Sequence, residues 1–179
     1  IALSDQDDVW LPEKLKRALG VMQAQNIDAY SSNITAFWPD GKTQLIDKAQ
    51  PQKNYDFMFE SAGPGCTFVL SQELAKALRC VLIKEQHLLS EVALHDWFIY
   101  AFARSNGFHW FIDPTSTLMY RQHSNNVVGA NTGLRAIKSR LQKLKQGWYL
   151  TQIQNIARIL GYENVEPIKR LCRLDLRDR

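Results

Sequence analysis

Leu15, Leu19 and Met22 recur at helical spacing between Glu13 and Gln25 and predict an amphipathic helix with that stripe turned inward. Before it, Ile1-Ala2-Leu3 reads as the buried end of a strand, and Pro12 stands near the first helical turn, where a missing N–H costs nothing. Asp28 to Trp38 reads as a strand, with Pro39-Asp40-Gly41-Lys42 as a turn able to close a hairpin. Residues 43–60 are polar and irregular. Gly63-Pro64-Gly65-Cys66 precedes a short strand, Thr67 to Leu70, and Ser71 is placed to cap a helix that opens at Glu73-Leu74 and runs to about Leu82. A longer helix is expected from Ser90 to Ser105, stopped by Asn106-Gly107. His109 to Ile112 and Thr117 to Arg121 read as two strands parted by Pro114.

Beyond Gly133 the pattern turns helical. Leu134, Ile137, Leu141 and Leu144 keep one face apolar while Arg135, Lys138, Arg140, Lys143 and Lys145 occupy the rest of the cylinder. Residues 148–160 and 165–176 read as two more short helices. The expected fold is therefore α/β over residues 1–132, a mixed sheet with flanking helices, followed by a helical extension over 133–179.

At 179 residues the chain fits one domain with a sizeable core, and a composition of 45% hydrophobic and 22% charged residues is ordinary for a globular protein. No apolar run approaches the roughly 18–20 residues that span a bilayer, and no signal peptide is legible. The chain opens on Ile, in what reads as the middle of a strand, so a fragment is expected. Cys66, Cys80 and Cys172 are odd in number and widely spaced, which argues against a disulfide framework and fits buried thiols in a reducing cytosol.

The net charge of +4 is unevenly spread: residues 1–132 carry 11 Lys and Arg against 14 Asp and Glu, and residues 133–179 carry 11 against 4. The basic tail is either a solvated helix face or a contact with anionic lipid, where each cation gains roughly 1 kcal/mol. Nucleic acid fits poorly, because no aromatic residues interleave the basic run and no such motif is present.

Three carboxylates, Asp5, Asp7 and Asp8, fall within four residues just before the first helix. Packed closely they repel one another unless a cation or several hydrogen bonds compensate. Oxygen ligands alone favour a hard ion such as Mg²⁺ or Mn²⁺. The competing reading is an exposed acidic turn that caps the helix.

Four separated segments together resemble family 2 glycosyltransferases of the GT-A fold, in particular bacterial rhamnosyltransferase-like members. They are Leu3 to Leu15 (LSDQDDVWLPEKL), Gly63-Pro64-Gly65-Cys66, His95-Asp96-Trp97, and Tyr120 to Gly129 (YRQHSNNVVG). The resemblance covers most of residues 1–130 and implies a partial, Rossmann-like GT-A sheet. Members of that family carry a nucleotide-binding half before the acidic motif, so the piece in hand is expected to be incompetent alone.

What the resemblance implies is a metal-dependent, inverting transfer, of rhamnose from a dTDP-linked donor onto a cell-surface polysaccharide or lipid-linked glycan precursor. The family's DxD falls on Asp5-Gln6-Asp7: Asp7 would bind Mg²⁺ or Mn²⁺ at the diphosphate, and Asp5 would lie nearer the ribose or reach the metal through water. Asp8 is expected to cap the helix rather than serve as a third ligand. Asp96 falls at the family's catalytic base, against a plain helix cap as the bland alternative. His95 stands where many members have Glu. Trp97 is either an acceptor-stacking platform or a buried core residue, and Gly65 would let acceptor approach the backbone. His123 would be a third metal ligand or a diphosphate contact, and Arg121 would help neutralise phosphate. Asn125, Asn126 and Gly129 suit a closing loop. The expected location is cytoplasmic, at the inner face of the membrane if residues 133–179 bind lipid. A sheet edge left open by missing strands would allow pairing with a second copy.

Two other classes remain from the residues themselves. A haloacid-dehalogenase-like phosphatase also uses DxD after a strand, and Val9 suits its spacing, but a downstream Lys and GDxxxD are absent. A non-enzymatic module that binds membrane or a partner through the basic helices is the third.

Overall fold

The computed structural model describes residues 1–122 and 147–177, with side chains as far as Arg173. His123, the closing-loop residues and the basic helix expected over 134–145 lie outside the described residues. Two small sheets carry the α/β part. One has the order β5-β2-β6 (Val69–Leu70, Ala29–Ser32, Trp110–Asp113), and the other β1-β7-β3-β4 (Val9–Trp10, Leu118–Arg121, Ile34–Phe37, Thr43–Ile46). Helices α1 (Lys14–Gln25), α2 (Gln72–Lys84), α3 (Gln86–Leu89), α4 (His95–Ser105), α5 (Trp148–Leu160) and α6 (Glu166–Arg177) accompany them.

The single strand expected over 28–38 is two strands, because the chain changes sheets at Asn33. β2 runs parallel to β6 and β3 parallel to β7, so both chains leave the first sheet and enter the second side by side. Buried Asn33 makes this crossing possible by satisfying the backbone that the ladders release. Its Nδ2 donates to Asp47 Oδ1 and Pro114 O at 3.0 Å, and its Oδ1 accepts from the backbone N–H of Lys48 and Ala49. Hydroxyls tie the same level across: Ser32 Oγ and Thr117 Oγ1 are 3.0 Å apart, and Thr35 donates to Ser116 Oγ at 2.9 Å. The expected hairpin forms, with β3 and β4 antiparallel around Pro39–Lys42.

Asp113 closes the end of β6. It is 1% exposed, yet its carboxylate takes two bonds from Arg17 (2.7 and 3.1 Å), one from the Tyr30 hydroxyl and one from the Thr115 N–H. Burial alone would push that carboxyl up; the Arg17, Thr115 and Tyr30 bonds outweigh it and hold it below the usual range.

Helix α1 forms where expected but turns a different face inward. Lys14 and Ala18 are its buried residues, while Leu15 and Leu19 are 40% and 52% exposed. Lys14, Ala18, Val21 and Met22 also hold helical spacing, and the small Ala18 lets the helix lie close to Tyr30 and Val69. Near Ser71 the reading holds: its hydroxyl accepts from the Leu74 N–H and opens α2. The long helix expected from Ser90 starts at His95, with α3 before it. The strand expected at Ile1–Leu3 is reduced to a single bridge, Ala2 to Val69, with Ile1 69% exposed.

The main core surrounds α4, where Trp97, Phe98, Tyr100, Ala101 and Phe102 meet Phe57, Met58, Phe68 and Trp110. Ile153, Ile156 and Ala157 of α5 and Ile168 of α6 belong to the same cluster. Gln152 fixes α5 to the loop before α4, accepting from the Ala93 N–H at 2.7 Å and donating to Glu91 O. Among the described residues, no helix is long and apolar enough to cross a membrane.

Candidate active site

Residues 1–3 lie along β5 and residues 9–10 along β7, so the acidic turn between them spans the two sheets. Register then delivers its neighbours. Pairing of Val9 with Met119 brings Arg121 against the turn: its backbone N–H donates to Asp8 Oδ1 at 3.0 Å and its Nε donates to Asp7 O at 2.8 Å. The guanidinium also lies 4.7 Å over the Phe37 ring.

Asp8 is not the helix cap expected of it. Helix α1 begins after Glu13 without a side-chain cap, and Asp8 instead turns beneath the acidic loop. Among the described residues its Oδ2 is buried without a conventional hydrogen-bond partner, and the Cys66 thiol lies beside the carboxyl as a weak donor. Burial pushes the Asp8 carboxyl up. One oxygen each of Asp5 and Asp8 and the Cys66 sulfur lie within 4.8 Å of one another. Asp7 is outside that group, half-buried. Burial, with the Asp8 carboxyl beside it, keeps the Cys66 thiol protonated, so the donors on offer at neutral pH are carboxylate oxygens. That set fits a hard divalent cation, and a buried carboxylate oxygen lacking a donor is where one would add a ligand bond.

The second and third motifs meet one residue away. A short 3₁₀ turn, Gly65–Thr67, presents Gly65 to the start of α4 so closely that a Cβ there would lie 2.9 Å from His95 Nε2 and 3.4 Å from Asp96 Cβ. His95 is exposed. Asp96 is half-buried in the first turn of α4, with Oδ1 accepting from the Trp97 N–H at 2.8 Å. Burial raises its carboxyl, against the Trp97 N–H, His95 and Lys48, which all draw it down. Trp97 is a core residue: it is 2% exposed and its indole N–H donates to Phe57 O at 3.0 Å. No ring face is left for an acceptor to stack on, so that expectation is withdrawn.

The turn at Asp5–Asp8, Gly65–Cys66, His95–Asp96 and Arg121 thus form a chain of neighbours, although the sequence separates them by up to 116 positions. Two participants escaped the sequence reading. Cys66 reads there as a plain structural thiol. Lys14 sits in a polar stretch, and only its spacing from Ala18 and Met22 points inward.

An α/β domain with an acidic turn at a sheet crossing and a carboxylate at a nearby helix start is the arrangement the four motifs imply, part of a GT-A-like glycosyltransferase. No family model matches the chain. The chain is 42% identical over 161 residues to the dTDP-rhamnosyl transferase RfbG of Shigella flexneri, an alignment that takes in 90% of this chain and 56% of that protein. This similarity supports a rhamnosyltransferase-like glycosyltransferase, and the chain spans about half the length of that relative.

Proposed function

We propose that the whole protein transfers a rhamnosyl group from dTDP-rhamnose to a hydroxyl of a cell-surface polysaccharide or lipid-linked glycan precursor, with inversion. The similarity to a dTDP-rhamnosyl transferase is the observation that carries this reading. The phosphatase and interaction-module readings gain no support from it.

Asp96 is the base. The acceptor oxygen forms its bond to the anomeric carbon as the bond from that carbon to the diphosphate oxygen breaks, and the hydroxyl proton passes to the Asp96 carboxylate. Burial raises the Asp96 carboxyl and so gives it more basicity than a solvated carboxylate has. The Trp97 N–H fixes its orientation. His95, exposed beside Gly65, contacts the acceptor. Arg121 contributes positive charge beside the acidic turn, where the diphosphate is expected. Asp7, by its place in the motif, and Asp5 and Asp8, by their convergence, would hold Mg²⁺ or Mn²⁺. That ion would neutralise charge on the departing diphosphate.

The test is release of dTDP from dTDP-rhamnose by the whole protein, supplied with a lipid-linked glycan fraction. Asp96→Asn is expected to lower the rate by about 10²–10⁴-fold while Mn²⁺ uptake is unchanged. Full activity in Asp96→Asn would remove Asp96 from the mechanism; no sugar transfer by the wild type with any glycan fraction would overturn the reading itself.

A further inference from the structure

Four buried side-chain polar atoms lack a hydrogen-bond partner among the described residues, and three of them cluster between residues 8 and 14: Asp8 Oδ2, Trp10 Nε1 and Lys14 Nζ. Lys14 is the unusual one. It lies in the first turn of α1, is 1% exposed, and holds its ammonium 3.8 Å over the Trp10 ring. Lysine rarely accepts such burial without a carboxylate in contact. Among the described residues no carboxylate is bonded to it; Trp10 packs against the cluster that holds Cys66, whose sulfur lies within 4.8 Å of an Asp8 oxygen, and Asp8 favours the charged lysine. Burial draws its pKa down to about 8, which leaves the ammonium mostly charged at neutral pH.

Such a cation cannot serve packing alone, since an apolar chain would fill the space without the desolvation penalty. Nor does it pair off, because the Trp10 face holds it by cation–π attraction at a fixed position. We propose that Lys14 is a built-in counter-cation, a positioning residue beside the acidic turn that compensates Asp8 while no divalent ion is bound. This rests on the metal-binding role given to the turn above. A fixed positive charge beside the site keeps its carboxylates from collapsing or repelling apart, and it also weakens any divalent ion that arrives. The ion is therefore held firmly only when a second source of negative charge, such as a nucleotide diphosphate, comes with it.

Two measurements on this 179-residue chain separate the inference from the functional reading. The first is a metal-free double-mutant cycle in thermal stability, with Lys14→Met, Asp8→Asn and the double variant. Lys14→Met is expected to lower Tm by roughly 2–4 °C when Asp8 is present, and to cost nothing or to stabilise when Asn replaces it. Additive effects would overturn the proposal, because they would make Lys14 a packing residue indifferent to the turn. The second is Mn²⁺ titration. Lys14→Met is expected to bind Mn²⁺ about tenfold more tightly than wild type, and Lys14→Arg, which keeps the charge, to stay near wild type. Equal or weaker binding in a folded Lys14→Met chain would also overturn it. Coupling in the cycle without Mn²⁺ uptake in any variant would uphold the link between Lys14 and Asp8 and sink the metal reading instead.

Discussion

Gly65 and His95 are packed so tightly that a methyl group on the glycine would sit 2.9 Å from the imidazole Nε2. Gly65 has no left-handed backbone to protect, so its small size serves this approach alone. Gly65→Ala therefore forces the ring aside. Because the atom in the way is the tip of an exposed side chain, the stability loss should be small, below about 1 kcal/mol. The His95 ring signals should move in an NMR spectrum of the chain, and transfer by the whole protein should fall. An unmoved His95 would show that the contact does not constrain the ring.

Asp113 makes a pH prediction whose sign follows from its hydrogen bonds. Its folded pKa is lowered from 3.8. Such a group contributes stability fully above its unfolded value, and loses it as pH falls through the folded one. The chain should thus lose stability below about pH 4, and Asp113→Asn should flatten that dependence while costing about 2–4 kcal/mol near neutral pH. Arg17 is 42% exposed, so solvent screens its share, and Arg17→Gln should cost less than Asp113→Asn. Urea unfolding from pH 3 to 7 checks both.

Helix α1 tests which face is buried. Leu19→Gln should change stability by no more than about 0.5 kcal/mol in this chain, because Leu19 is half-exposed. Ala18→Leu should cost about 1–3 kcal/mol, since nothing around Ala18 can yield room. The reverse order in denaturant unfolding would put the leucine stripe inside.

Much of this was legible in the sequence, for identifiable reasons. Ser71, Asn106-Gly107 and the Pro39–Lys42 turn act locally, so the elements they bound are close to those expected. The break at Asn33 was not legible, because its cause is a side chain that meets Asp47 and Pro114, far away in the chain. The face of α1 was missed because two apolar stripes share one helix and residue size, not hydropathy, chose between them. At the site, the motif segments that carry the acidic turn, Gly65, Asp96 and Arg121 are far apart in sequence and lie together in the fold. The sequence suggested a helix cap at Asp8, which the fold does not show, left Trp97 open between core and acceptor platform, and passed over Lys14, since hydropathy offers no reason to bury a lysine. The contact of Asp8 with Arg121 comes from the β1–β7 register, which no local pattern encodes.

Whether the turn from Asp5 to Asp8 holds a divalent cation, as proposed above, is decided by Mn²⁺ titration. Free Mn²⁺ is followed by its electron paramagnetic resonance signal as this chain is added, with and without dTDP. Wild type should take up the ion, more tightly when dTDP is present, and the Asp7→Asn/Asp8→Asn double variant should lose that uptake while remaining folded. Undiminished uptake in the double variant, or none in wild type with dTDP present, would contradict the claim.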